Sequence, residues 1–279
     1  MKPAADSMES AAVAIILGRQ VYFRDMPKAD LKPRLSRDGK LEITERGWRL
    51  AILAGGSRSY RLSQLDDQAG RPRLAYPWQP PVRLRLRARA SAISTPGTWG
   101  FGLWNDPYGF SFGPGEHFPR LPTLPQAAWF FAASPRCYLS FRDDKPAQGF
   151  YAQVFRSQGF RPRLLEAALA LPFAPKTSRK LLSSVILEEA AAVGPDPCQW
   201  HSYGIEWDSR RCLFSVDEVG ILETPLSPRG PLGLVVWTDN QYAAFDPRGR
   251  IGWGVEANQF EQWLEVEDIE LKAPGSSGA

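Results

Sequence analysis

The stretch Gln199–Asp217, QWHSYGIEWDSRRCLFSVD, decides how this chain is read. Tyr203, Ile205 and Trp207 alternate with Gly204, Glu206 and Asp208, the period-two pattern of a strand with one buried face. Ser209, Arg210 and Arg211 form a polar turn, and Leu213 to Val216 bring the chain back alongside. Glu206 and Asp208 are thereby sent to the solvent side.

Composition agrees with a β-rich chain. Of 279 residues, 43% are hydrophobic and 12% aromatic, with 24 glycines and 25 prolines. Short strands separated by turns accommodate that much proline, whereas a helical bundle does not. The net charge of +4 is spread along the chain, so no nucleic-acid partner is indicated. Cysteines at 137, 198 and 212 form no CxxC pair and signal neither a zinc site nor a disulfide framework. Reduced thiols, no metal and no cofactor are expected. The apolar run 11–17 is too short for a bilayer span, and Asp6 and Glu9 before it argue against a signal peptide, so the expected location is cytoplasmic.

Residues 1–18 read as an arm or short helix, 19–272 as one β-sandwich domain, and 273–279 as a disordered tail. Val21–Asp25 (VYFRD) reads as an opening strand, and Lys40–Thr44 with Trp48–Leu53 as a pair joined after the Asp38–Gly39 turn. Residues 55–81 are expected to form a long loop. Val82–Ala90 (VRLRLRARA) is the cleanest strand, with Arg83, Arg85, Arg87 and Arg89 on one side. They form either a basic strip for an anionic ligand or a solvated outer face. Trp99–Trp104, Gly109–Phe112, Ala127–Ala132, Cys137–Phe141, Gly149–Phe155, Leu232–Thr238 and Trp263–Leu271 supply further strands. Arg163–Leu171 and Thr177–Val193 have helical periodicity between prolines, which predicts a helical insert over about 161–193.

The hairpin resembles the W-x-x-Y-x-I-x-W…V-D pair of concanavalin-A-like sandwiches, shared by family-16 glycoside hydrolases and laminin-G-type lectin domains. The resemblance extends in pattern over 21–271, and Trp263–Leu271 (WLEVEDIEL) resembles the closing strand. It implies an all-β jelly roll of two antiparallel sheets and a carbohydrate ligand. It also implies an E-x-D-x-E strand after the segment Trp99–Asn105 (WGFGLWN). The residues there, Gln126–Ser134 (QAAWFFAAS), contain no carboxylate.

What remains for a concave face is aromatic and amide-rich. Trp104, Tyr108, Trp129, Trp237 and Tyr242 offer rings; Asn105, Gln153 and Asn240 offer polar anchors. The expectation is that Trp237→Ala weakens binding and leaves the thermal midpoint nearly unchanged. Candidates for proton transfer are Asp106 and Asp239, a carboxylate pair if their strand ends meet, and then Glu116 and His117 on a Gly/Pro loop. Three readings follow. The first is a carbohydrate-active protein, either a hydrolase with rearranged carboxylates or a sugar-binding module. The second is an isomerase, cyclase or lyase for an apolar small molecule in an aromatic cavity roofed by the helical insert. The third is a non-catalytic interaction protein. An open groove favours the first and a covered face the second.

Overall fold

The computed structural model describes residues 15–16, 31–107, 123–158 and 175–273. Two antiparallel sheets form a jelly-roll-type sandwich. The first has the spatial order β1 (Ile15–Ile16), β3 (Gly39–Ile43), β4 (Gly47–Ile52), β17 (Gln262–Lys272), β6 (Val82–Ala90), β11 (His201–Trp207), β12 (Cys212–Val216), β13 (Val219–Thr224). The second runs β10 (Ile186–Ala192), β9 (Gly149–Ser157), β8 (Gln126–Ala133), β7 (Thr98–Trp104), β14 (Gly233–Asp239), β5 (Leu62–Asp66), β2 (Lys32–Leu35). A separate two-stranded hairpin, β15 (Gln241–Phe245) with β16 (Ile251–Val255), belongs to neither sheet. One helix, α1 (Pro175–Ser183), lies within the expected insert.

The alternation seen in the hairpin sets the core. Tyr203, Ile205 and Trp207 are buried between the sheets and meet the rings of the second sheet. Phe130 stands 5.0 Å from Tyr203 and 5.4 Å from Phe214, both edge to face, a favoured aromatic geometry. The Trp207 indole donates to Ser227 Oγ and the Pro228 carbonyl, so the buried N–H is matched. On the opposite side Glu206 pairs with Arg83 and Asp208 accepts the turn amides of Arg210 and Arg211.

The arginines of β6 are a solvated outer face neutralised by its neighbours. Arg87 pairs with Glu267 at 3.1 Å and Arg89 with Glu265 at 2.6 Å, both across to β17. Trp200 and Trp263 lie under the Arg87, Arg89 and Arg49 guanidinium groups. The strip is therefore a cross-strand ladder of ion pairs and cation–π contacts.

Four expectations need correction. Residues 186–192 of the anticipated helix are strand β10, an edge strand paired along β9. Glu and Ala favour helices only weakly, and a seven-residue antiparallel pairing overrides them. The expected loop 55–81 contains β5, paired on both sides by β14 and β2. Its polar Gln64 and Asp66 alternate with buried Leu65 and disguise the apolar pattern. Cys137–Phe141 is an irregular segment with a single bridge from Tyr138 to Ala244. Ile15–Ile16, expected in a loose or helical arm, pair with Leu41 and Glu42 of β3. The expected elements at 21–25, 109–112 and 163–171, and the tail at 274–279, lie outside the described residues. The three cysteines are free thiols. Among the described residues no helix is long and apolar enough to cross a membrane.

Candidate functional site

The face of the second sheet turned away from the sandwich core carries the aromatic residues. Register places Trp237 opposite Gly100 and Gly100 opposite Phe131; it places Gly102 opposite Trp129 and Trp129 opposite Gln153. Bulky and absent side chains thus alternate across β14, β7 and β8. A Cβ at Gly100 would lie 2.7 Å from the Trp237 ring, and one at Gly102 would lie 2.5 Å from the Ala128 carbonyl oxygen and the Trp129 Cα. Glycine is required at both positions: at Gly100 so that the Trp237 indole can lie over the β7 backbone, and at Gly102 because the β8 backbone comes too close for any Cβ.

Three tryptophans form one cluster. Trp104 is 5.8 Å from Trp129 and 6.4 Å from Trp237, with the Trp104 and Trp237 planes 8° apart. Trp129 is 5.6 Å from Trp237, and Phe131 lies 5.1 and 5.5 Å from these two rings. Two of the indole N–H groups enter polar chains. Trp129 Nε1 donates to Gln153 Oε1 at 2.9 Å, and Gln153 Nε2 donates to Glu188 Oε1 at 2.8 Å. Trp237 Nε1 donates to Thr98 Oγ1 at 3.0 Å, and Thr98 Oγ1 donates to Asp239 Oδ1 at 2.9 Å. The third, Trp104 Nε1, is buried and has no hydrogen-bond partner among the described residues.

The face is covered. Trp129, Phe131 and Trp237 are 6%, 4% and 7% exposed, and Leu139, Phe141, Leu182 and Tyr242 pack on the apolar cluster that these rings share with Tyr151, Phe155, Val185 and Ile186. Arg179 of α1 holds the cover together: its guanidinium donates to the carbonyls of Ser140 and Phe245 and to Asp143 Oδ1, at 2.6–2.7 Å. Tyr242, at the base of the β15–β16 hairpin, packs against Gly254 with Arg136 4.0 Å above its ring. The burial of Trp237 overturns the expectation that its removal leaves stability unchanged. Trp104 is the half-buried member.

Polar chemistry gathers where β14 leaves the sheet. Asp239 Oδ1 accepts from the Thr98 amide, the Thr98 hydroxyl and the Gln241 amide, and Tyr60 donates to Oδ2 at 3.3 Å. Burial pushes the Asp239 carboxyl up to about 7, against these hydrogen bonds, which act to lower it. Burial likewise raises the Tyr60 phenol, with the Asp239 charge adding to it. Glu256 accepts from the Gly97 amide at 2.8 Å and from Ser134 Oγ at 2.5 Å. Asp239 and Glu256 are therefore held on adjacent amides, within roughly 10 Å of each other by backbone dimensions. Sequence reasoning missed Glu256, because the return of the β15–β16 hairpin brings it there and no local pattern marks it. It missed Glu188 by assigning that segment to a helix; Glu188 is buried and its carboxyl is raised, chiefly by desolvation.

Asp106 does not meet Asp239. β7 and β14 are antiparallel, with Trp104 opposite Gly233 and Thr98 opposite Asp239, so the two aspartates sit at opposite ends of the sheet, roughly 20 Å apart. The Asp106 carbonyl accepts from Arg73 Nε and Nη2, and its φ of 47° marks a turn out of β7. Of the three amides expected as ligand anchors, Gln153 links Trp129 to Glu188, and Asn240 and Asn105 hold backbone groups. Asn240 Oδ1 accepts the Arg61 amide, and its Nδ2 donates to the Ser59 and Glu256 carbonyls. Asn105 bridges the Leu124 carbonyl and the Gln126 amide. Tyr108, Glu116 and His117 lie outside the described residues. Among the described residues no group of three or more His, Cys, Asp or Glu side chains is placed to hold a metal ion.

Fold and site together define a class: an all-β, jelly-roll-type sandwich of two antiparallel sheets, with a covered aromatic cluster on the outer face of its second sheet. No family model matches the sequence, and no curated protein matches it. Among solved structures the chain is similar to a GlcNAcα1-4Gal-releasing endo-β-galactosidase from Clostridium perfringens, with 11% identity and a TM-score of 0.48 over 97% of this chain and 66% of that one. It is also similar to a legume lectin-like domain from Entamoeba histolytica, with 11% identity and a TM-score of 0.43 over 88% and 90%. A third is the catalytic domain of an endo-1,3-β-glucanase (laminarinase) from Thermotoga petrophila, with 12% identity and a TM-score of 0.40 over 84% and 82%.

Proposed function

We propose that the protein is carbohydrate-active and takes its ligand on the aromatic face of the second sheet. The observation that carries this reading is the cluster of Trp104, Trp129 and Trp237, three indoles from three adjacent strands with glycine kept beneath Trp237. Flat rings stack on the C–H faces of sugars, and indole N–H groups donate to hydroxyl oxygens. Trp104, half-buried with its Nε1 unmatched among the described residues, is the ring a ligand meets first. Where a reaction is carried out, Asp239 is the proton donor and Glu256 the second carboxylate, the pairing that glycoside hydrolysis uses. Asp106, at the far end of the sheet, takes no part in that pairing.

The covering of the face favours a second reading, an isomerase, cyclase or lyase acting on an enclosed apolar molecule. Calorimetric titration with a panel of mono- and disaccharides separates the two. Trp104→Ala is expected to weaken sugar binding about tenfold or more, a stacking contact and one hydrogen bond being worth about 1–3 kcal/mol together. An affinity unaltered by that change contradicts the sugar-binding role of the face. Binding of an apolar fluorophore in place of every sugar selects the second reading.

A further inference from the structure

The two oxygens of Asp239 have different surroundings. Oδ1 accepts from the Thr98 amide, the Thr98 hydroxyl and the Gln241 amide, at 2.9–3.2 Å. The direction of these bonds is fixed. Backbone amides only donate, and so does the Trp237 indole, whose Nε1 reaches Thr98 Oγ1 at 3.0 Å. The single proton of the Thr98 hydroxyl is then left to point at Oδ1. Three donors on one oxygen leave no place there for a proton of the carboxyl itself. Among the described residues Oδ2 hydrogen-bonds to the Tyr60 hydroxyl alone, at 3.3 Å. The chain holds Tyr60 in that place from both sides. Asn240, the buried residue after Asp239, donates from Nδ2 to the Ser59 carbonyl and accepts the Arg61 amide on Oδ1, and its own amide donates to the Arg61 carbonyl. The backbone flanking the phenol is therefore tied to the neighbour of the carboxyl it faces.

We infer that Asp239 carries its transferable proton on Oδ2, and that Tyr60 is the positioning residue that sets how readily it is given up. With Asp239 neutral, the phenol oxygen accepts from Oδ2–H. When that proton passes to an accepting oxygen, the phenol keeps its own proton and turns to donate to the carboxylate left behind. Burial and the Asp239 charge both hold the phenol proton in place, so Tyr60 acts as a donor and not as a base. The other charged and titratable groups nearby are engaged elsewhere. Arg34 of β2, whose charge acts the other way on Tyr60, pairs with Asp66 at 3.5 Å. Glu256 is held by the Gly97 amide and Ser134 Oγ, and burial keeps the Cys137 thiol protonated. The inference rests on the carbohydrate reading only in naming the acceptor, a glycosidic oxygen.

The test is Tyr60→Phe in the full chain, which keeps the ring and removes the hydroxyl, read by urea unfolding from pH 4 to 9. The carboxylate loses a donor, so Asp239 is expected to hold its proton about tenfold more tightly, the worth of one hydrogen bond to a charged group. Wild-type stability declines until Asp239 ionises at about 7. In the variant the folded state keeps the extra proton longer, so the decline is expected to run on to about pH 8. In the Asp239→Asn background the same change is expected to leave the slope unaltered. A purely structural Tyr60 lowers stability equally at every pH, and such parallel curves overturn the assignment. A decline that ends below pH 7 also overturns it, as does an extended decline that persists with asparagine at 239. These curves need no ligand. Failure of every sugar to bind in calorimetry therefore overturns the carbohydrate reading and leaves the proton on Oδ2.

Discussion

Replacing Trp237 by alanine is expected to destabilise the protein by about 3–5 kcal/mol, the usual cost of emptying a buried aromatic site. For a chain of this size that corresponds to a fall in Tm of about 10 °C. Trp237 is 7% exposed, contacts Trp104, Trp129 and Phe131, and lies against Gly100, whose missing side chain leaves nothing to fill the space. The change also strips Thr98 Oγ1 of its donor next to buried Asp239. Thermal unfolding monitored by circular dichroism reads the effect. A Tm within a degree of wild type would mean that the ring faces solvent, and that the cover formed by Tyr242, Leu139 and α1 is not there.

Stability is expected to fall as pH rises from about 4 to about 7, and Asp239→Asn is expected to flatten most of that slope. Asp239 titrates at 3.8 when unperturbed and at about 7 in the fold. Between those values the folded state therefore holds a proton that the unfolded chain has lost. Stability rises with pH only where the unfolded state binds more protons, and here it binds fewer, so stability declines through this window and levels off above about pH 7. A shift of about three pKa units corresponds to a change on the order of 4 kcal/mol. Asp67, raised to about 6 by burial, adds a smaller term of the same sign. Asparagine reproduces the protonated form: its oxygen keeps the Thr98 and Gln241 donors, and its amide faces Tyr60. Above pH 7 the variant is expected to be the more stable protein, although any glycoside turnover that uses Asp239 as acid falls at least a hundredfold. Urea unfolding of both proteins from pH 4 to 8 checks the slope. Parallel curves would show that Asp239 is not the group responsible.

Much of the sandwich was legible because its strands have one apolar and one polar side. β6, the β11–β12 hairpin and β17 each alternate, and each lies where that alternation puts it. β5 escaped because its second face carries Gln64 and Asp66, buried among partners rather than solvated. β10 escaped because its residues prefer helix and only its pairing with β9 makes it strand. The same division holds at the site. Trp104 and Trp237 were visible as strand-end aromatics, and with Trp129 of β8 they gather into one cluster. The Asp106–Asp239 pair failed because matching motifs at the ends of two strands were read without their direction, and antiparallel neighbours send equivalent ends apart. Glu256 and Glu188 owe their places to long-range contacts with Gly97 and Gln153, for which one sequence holds no periodic signal.

The central claim, that ligand is taken on the aromatic face of the second sheet, is tested most directly by the ten indole N–H resonances of the 15N-labelled protein during titration with the best-binding disaccharide. The account predicts a shift centred on Trp104, whose N–H gains an acceptor, with smaller changes at Trp129 and Trp237. Trp200 and Trp263, stacked with arginines on the outer face of the first sheet, stay still. Shifts confined to Trp200 and Trp263, with Trp104 unmoved at saturation, would contradict it.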